Sequence, residues 1–387
     1  MTTSRPVARI LGFGGAVIAT SLAAAAAPTP LYHHYAAAWG GRFSDGAFAY
    51  ALYAGTVLLA IACAGIFVDR VGVRKVVSAA LGAQIVALLL LATASSFVIV
   101  DVARGLQGVA TGLAIVPLGA LMVESSYRWG AVISAAAPGL GTGVGALSAA
   151  AVVQAVAEPA AVVYLVFAPL VVVQLAMVRW AVPPDRVLPP TLGIAVPSFP
   201  TTGKGAFTVV ALLLLGAWGL AGYLGSAWPM SSQEILSTSF VGIESVPLAA
   251  TTITGAAAAL ALRRVRRASL SLLTSAALVT AGGVFWAGVT LANDVMIVGA
   301  AALAGLGFGG AMLTAAKAVR QCRAADVVPA TAMTYLLCYG GMAFAALGAG
   351  FALDVGSDAR EVAGAVLIAV TALAALAGGG ALVLDRR

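Results

Sequence analysis

Four charges crowd into the seven positions from Asp69 to Lys75, in the stretch GIFVDRVGVRKVV, although only 9% of the 387 residues are charged. Asp69, Arg70, Arg74 and Lys75 are a carboxylate set among cations, a combination suited to ion pairing and to binding a helix end. A second constellation is Asp101, Arg104 and Gln107, spaced three apart and therefore on one face of a helix. Asp101 and Arg104 can form a structural salt bridge. Alternatively they form a proton-responsive site, in which protonating Asp101 frees Arg104 for an anion or a backbone carbonyl. His33 and His34, the only two histidines, are either pH-responsive or a polar step at the end of an apolar run. Two adjacent histidines provide no metal constellation, and Cys63, Cys322 and Cys338 are odd in number and give no disulfide framework. The chain has no Walker loop, no paired catalytic carboxylates and no nucleophile beside a base. The sequence thus points away from an enzyme and calls for neither metal nor cofactor.

The elements that must position these residues are apolar. Hydrophobic residues make up 61% of the chain and mean hydropathy is +1.04, far above a soluble domain. A bilayer core needs roughly 20 apolar residues per helix, and such runs recur throughout. AALGAQIVALLLLATA shows no alternation, so the spans read as helices and not as barrel strands. A single signal peptide does not explain the pattern. Twelve spans are expected, at about 8–31, 45–68, 76–96, 98–123, 131–156, 160–181, 205–228, 241–262, 268–291, 293–316, 328–353 and 361–383. The fold class is therefore all-α, a polytopic membrane protein of two pseudo-symmetric six-helix bundles. Residues 1–181 form the first bundle and 205–387 the second. The Pro- and Gly-rich segment 182–204, with Asp185, Arg186 and Lys204, is a cytoplasmic linker.

Basic residues set the orientation. With both termini in the cytoplasm, about 18 of the 21 Lys and Arg fall inside, as the positive-inside rule requires. Arg42, Arg104 and Arg360 are the exceptions. The net charge of +7 is then a topology signal, and RRVRR at 263–267 is a loop between spans, with no nucleic-acid partner implied. The expected setting is the inner or plasma membrane of a bacterium, with the lipid bilayer as surroundings and a monomer as the assembly.

The halves echo one another. LQGVATGLAI in the fourth span and LAGLGFGGAM in the tenth align Gly108 with Gly305 and Gly112 with Gly309, a sign of a duplicated architecture. Gly141 and Gly145 lie in the fifth span, in GLGTGVG. Glycines inside apolar spans serve close helix packing.

The first stretch resembles the signature of the major facilitator superfamily, Gly-x-x-x-Asp-Arg-x-Gly followed by basic residues. Gly65, Asp69, Arg70, Gly72, Arg74 and Lys75 match, and Val73 stands at a position that is often basic. RGLQGVATG resembles the family's second motif through Arg104, Gln107, Gly108 and Gly112, and PTPLY at 28–32 is similar to bacterial members. Span count, linker and length agree along the whole chain. The resemblance implies a conformational latch, in which Asp69 meets the start of the eleventh span when the cytoplasmic side is closed. The basic residues around it would pair with Glu124 at the inner end of the fourth span. It also implies a role in coupling for Arg104. Asp101 joins it in the candidate proton-coupling group, with Gln107 one turn on.

Candidate substrate-cavity residues are Tyr32, Gln84, Trp218, Tyr223 and Tyr335, although aromatics near span ends also serve as interfacial anchors. Superfamily exporters often carry a Gly-Pro motif in the fifth span; here Val144 occupies the proline position and Pro138 lies six residues earlier. The expected function is alternating-access transport of a small amphipathic or drug-like molecule, exported in exchange for protons. The alternatives are a proton-coupled uptake symporter and a non-transporting membrane sensor or scaffold on the same fold.

Overall fold

A computed structural model describes residues 5–184, 196–236 and 241–385. The helices are α1 (Arg5–Ala26), α2 (Leu31–Trp39), α3 (Phe43–Val71), α4 (Val73–Ala92), α5 (Phe97–Ser125), α6 (Tyr127–Ala155) and α7 (Pro159–Ala181). They continue with α8 (Lys204–Gly225), α9 (Ala227–Ile235), α10 (Val246–Ala261), α11 (Arg267–Thr290), α12 (Asp294–Val319), α13 (Ala324–Asp354) and α14 (Ala359–Asp385). Short 3-10 turns occupy Val241–Glu244 and Leu262–Arg264. Among the described residues, 12 helical segments are long and apolar enough to cross a membrane. Phe344, Val295 and Ile368 point outward at more than two-thirds exposure. Large apolar side chains turned outward from helix after helix are matched by lipid and not by water.

The first span departs from the single run expected at 8–31. Pro28 and Pro30 lack the N–H groups that a continuing helix would need. The α1 helix therefore ends at Ala26, and α2 begins separately at Leu31, carrying His33 and His34. The eighth span is likewise broken. A 3-10 turn over Val241–Glu244 precedes α10, which has Pro247 in its first turn, where a missing N–H costs nothing. Residues 185–195 of the linker expected at 182–204, including Asp185 and Arg186, lie outside the described residues. Its end is tied to α13: Thr201 donates from both its amide and its hydroxyl to Asp326, at 3.1 and 2.7 Å.

Contacts divide the chain into two compact units, one of Met1–Pro28 with Leu52–Ala195 and one of Thr29–Ala51 with Val196–Arg387. Residues 29–51, which sequence order places in the first bundle, thus make their contacts with the second unit.

In the first unit α1 lies along α6. A side chain at Gly141 would strike the Ala19 carbonyl, and one at Gly145 the Ala23 carbonyl, so these glycines permit backbone contact. Gly108 and Gly112 of α5 likewise face Tyr53, Val57 and Ala60 of α3. In the second unit Gly305 and Gly309 of α12 face Thr251, Thr254 and Gly255 of α10 in the same manner. The fourth span packs on the second as the tenth packs on the eighth, which is the internal repeat expressed as packing.

The second unit also holds the start of α3. Asp354, the last residue of α13, accepts from the amides of Phe43 and Ser44 at 2.8 and 3.3 Å. These are first-turn N–H groups with no partner inside the helix, at the positive end of its dipole. Asp354→Asn keeps an acceptor and loses the charge. We expect it to lower the stability of the purified protein by about 0.5–2 kcal/mol, read as a fall in the midpoint of thermal unfolding in detergent.

Candidate functional site

Arg104 sits in the middle of the first unit and is fully buried, as is Gln107 one turn further along α5. Their position follows from the end of α1. An α-helical carbonyl at Ala24 seeks the N–H of residue 28, and Pro28 has none, which leaves an orphan acceptor at the negative end of the helix. Gln107 donates to the Ala24 carbonyl at 3.1 Å, and Arg104 donates to the Ala25 carbonyl at 2.8 Å. Arg104 also donates to Oε1 of Gln107 at 2.6 Å, which fixes the amide orientation. Beneath the guanidinium lies the ring of Tyr53, 4.3 Å from its carbon to the ring centroid. A cation over a desolvated aromatic face contributes roughly 2 kcal/mol or more. The guanidinium thus contacts a helix-end carbonyl, an amide oxygen and a π face. Asp101 lies one turn before it on the same helix and is half-buried.

Tyr53 was not legible as part of this group. Its separation from Arg104 in sequence is large, and an aromatic inside an apolar span carries no local mark of a partner. The signal that was available is PTP at 28–30, which predicts the uncapped end of α1 that the Arg104 and Gln107 side chains serve.

The Asp69 cluster sits where α3 gives way to α4. Gly72 joins them with φ +84, a left-handed conformation that favours glycine, and its amide bonds the Val68 carbonyl at 2.9 Å. This is the physical requirement behind the second motif glycine. Arg74 turns toward α7. Its Nε and Nη2 donate to the Val182 carbonyl at 2.9 and 2.6 Å, and Nη2 also reaches the Arg179 carbonyl at 3.0 Å. A cation on the last carbonyls of a helix is favourable, so Arg74 ties the connection between α3 and α4 to the end of the sixth span. Asp69 is half-buried, whereas Arg70, Lys75 and Glu124 are exposed, and Gly65 lies on α3 a turn before Asp69.

The cavity candidates separate into two groups. Gln84 is in the first unit on α4, at 1% exposure, and neither its amide nitrogen nor its oxygen has a hydrogen-bond partner among the described residues. A buried amide left unpaired is costly, about 1–3 kcal/mol, and in native proteins is matched by water or ligand. The other four are in the second unit. Trp218 of α8 packs against Phe308 of α12 and Tyr339 of α13, with ring centroids at 5.0 and 5.4 Å. Its indole N–H is buried and has no partner among the described residues. Tyr335 lies one turn before Tyr339 on α13 and is half-buried. Tyr223 is fully buried, edge-on to Trp228 at 6.3 Å. Tyr32 is also fully buried, its ring beside Gly46. Phe308 and Tyr339 complete a three-ring cluster of which only Trp218 was expected.

Glu244 was read only as a polar interruption near the eighth span. It is 2% exposed. Burial pushes its carboxyl up to about 7, opposed by a hydrogen bond from Gln233. Among the described residues no group of three or more metal-ligating side chains occurs.

Among the solved structures that this chain resembles are two of a nucleoside transporter. NupG superposes with a TM-score of 0.71 at 12% identity, over 97% of this chain and 99% of that one. A point mutant of NupG superposes at 0.73 and 13% identity, over 96% of this chain and 99% of that one. At such identities the likeness is one of fold. No curated protein matches the sequence. The sequence model described as Major Facilitator Superfamily matches residues 10–322, and on that match, together with the twelve spans, the chain belongs to the major facilitator superfamily.

Proposed function

We propose that the protein is a proton-coupled secondary transporter that exports a small amphipathic or drug-like molecule by alternating access, in a bacterial inner membrane with both termini cytoplasmic. The observation that carries this reading is the fully buried Arg104, in contact with the Ala25 carbonyl of α1, Gln107 and Tyr53. Intramembrane charge is expensive and marks substrate or proton paths. A buried guanidinium can exchange partners during a transport cycle, among the α1 carbonyl, a carboxylate and an anion, and Asp101 is on the same helix face. Each unit by itself carries a buried polar group without a partner among the described residues, the amide of Gln84 in the first and the indole N–H of Trp218 in the second, of the kind a mostly apolar ligand site uses for orientation. The motif residues Asp69, Arg70 and Arg74 support a conformational cycle, with Asp69 as the proposed latch.

A second reading is uptake of a planar polar molecule such as a nucleoside. The NupG neighbours, a nucleoside transporter by name, favour that substrate class, and so does the cluster of tilted rings formed by Trp218, Phe308 and Tyr339. Val144, at the position where exporters of the family often carry proline, favours it as well.

The test is proton movement in proteoliposomes with a pH dye inside, over a panel of nucleosides and amphipathic cations. Exchange predicts that an added substrate drives protons in the opposite direction; symport predicts the same direction. Neither proton movement nor substrate counterflow across the panel rejects transport coupled to protons.

A further inference from the structure

Where the 3-10 turn Val241–Glu244 and the start of α10 meet α9, the second unit has a buried polar corner. Ser226, Ser231, Ser232, Glu244 and Ser245 are each at most 2% exposed. The corner is pinned by the Trp228 indole, which donates to the Ile243 carbonyl at 2.9 Å, and by Arg360, which donates to the Ile235 carbonyl at 3.3 Å. Glu244 faces into it. Its Oε1 accepts from Gln233 at 3.3 Å, and its Oε2 is buried with no partner among the described residues, as are the hydroxyls of Ser232 and Ser245. A carboxylate that satisfies one oxygen with one long hydrogen bond is poorly matched in a desolvated site. A carboxylic acid is neutral there and gains a donor.

We propose that Glu244 is a proton-binding site, and that proton occupancy holds the α9–α10 corner closed around it. The step is one proton from water onto Oε2, giving the neutral acid; leaving it as the anion favours opening to solvent. The elements packed against the corner bring few charges to it. Glu234 of α9 is exposed, and α10 has no titratable residue. The remaining groups toward this end are Tyr223 of α8, Asp294 in the first turn of α12, Asp354 of α13, Asp358, Arg360 and Glu361 at the start of α14, and Tyr32, His33, His34 and Tyr35 of α2. Arg360 uses its guanidinium on the Ile235 carbonyl, and Asp354 binds the first turn of α3. The upward shift of Glu244 comes from burial, with Gln233 opposing it. Its sign fixes the pH window. The closed corner binds the proton up to about pH 7, whereas an exposed glutamate releases it near the ordinary value of 4.5. Closure is therefore complete at low pH, and it weakens by about tenfold per pH unit as pH rises between those limits.

This deepens the proton-coupled reading of the transporter, but its test needs no substrate. The probe is the proton, with the full chain in lipid nanodiscs at constant ionic strength. Infrared difference spectra should show a carboxylic-acid carbonyl band titrating near pH 7, absent from Glu244→Gln. Hydrogen exchange over residues 226–236 and 241–245, corrected for intrinsic rates, should lose about tenfold protection per unit between pH 5 and 7 in the wild type. Glu244→Gln, a stand-in for the acid, should hold its protection constant. If Glu244→Gln does not fold, Glu244→Asp and the wild-type titration decide the outcome. The proposal is overturned by a Glu244 already ionised above pH 5, by corner protection that does not follow pH, or by a band that responds to sodium at fixed pH. A liposome assay without proton movement would instead reject the coupling reading and leave the titration result standing.

Discussion

Arg104→Ala is expected to lose substrate-coupled proton flux by about a hundredfold and to destabilise the first unit. The loss has separable parts. A hydrogen bond to a charged group contributes about 1.5–3 kcal/mol, and Arg104 makes such bonds to the Ala25 carbonyl and to Gln107. Its contact with the Tyr53 face adds to these. Alanine removes all three and leaves the end of α1 with an uncapped buried carbonyl, so a fall in stability of about 2–4 kcal/mol follows. Each 1.4 kcal/mol is a factor of ten in a conformational equilibrium. Arg104→Lys separates the two roles. A single ammonium can bond a helix-end carbonyl but cannot serve carbonyl, amide and ring together. If Arg104 only caps α1, lysine restores both thermal stability and flux. If Arg104 takes part in coupling, lysine restores much of the stability while the pH dependence of flux stays lost. Normal coupled flux in Arg104→Ala, with correct insertion, would remove Arg104 from the transport mechanism.

What could be read from the chain depends on how local its cause is. Span length, the charge-rich connection at Asp69 and the paired glycines at 108, 112, 305 and 309 are local patterns, and the helices and their packing follow from them. The break at Pro28 and Pro30 was equally local, yet the apolar run through 8–31 masked it, because hydropathy does not register a missing N–H. Tyr53 beneath Arg104 and the three-ring cluster around Trp218 depend on pairings between separate helices, which no single stretch reveals. Glu244 is an instructive case: in sequence it is one acid at the edge of an apolar run. What sets it apart is burial on nearly all sides and an oxygen without a partner, both properties of packing. Arg74 shows the converse. Its motif position is plain in the sequence, whereas its bonds to the end of α7 depend on a helix more than a hundred residues away.

Alanine placed at two glycines of α12 is expected to have opposite effects. At Gly299 an added Cβ meets nothing within 4 Å, so Gly299→Ala gains helix propensity of about 0.8–1 kcal/mol in the helix interior. At Gly309 the same methyl falls on the Gly255 carbonyl of α10. Backbone cannot swing aside as a flexible side chain does, so the helices must separate. Separation also strains the bonds that join them, in which the Thr251 and Thr254 hydroxyls reach the Ala301 and Ala302 carbonyls of α12 at 2.9 and 2.8 Å. Overpacking of a fitted interface costs typically about 1–3 kcal/mol, and the loss of those bonds adds roughly 0.6 kcal/mol each. Gly309→Ala should therefore lower stability by about 2–4 kcal/mol, and Gly309→Leu should prevent stable folding of the second unit. Gly112→Ala should behave as Gly309→Ala does, because its Cβ would meet Ala60 at 2.6 Å and the Val57 carbonyl at 2.8 Å. Thermal unfolding of the four variants in one detergent decides the matter. Equal midpoints for Gly299→Ala and Gly309→Ala would mean that α10 and α12 do not approach through this glycine, and the packing repeat between the halves would lose its physical basis.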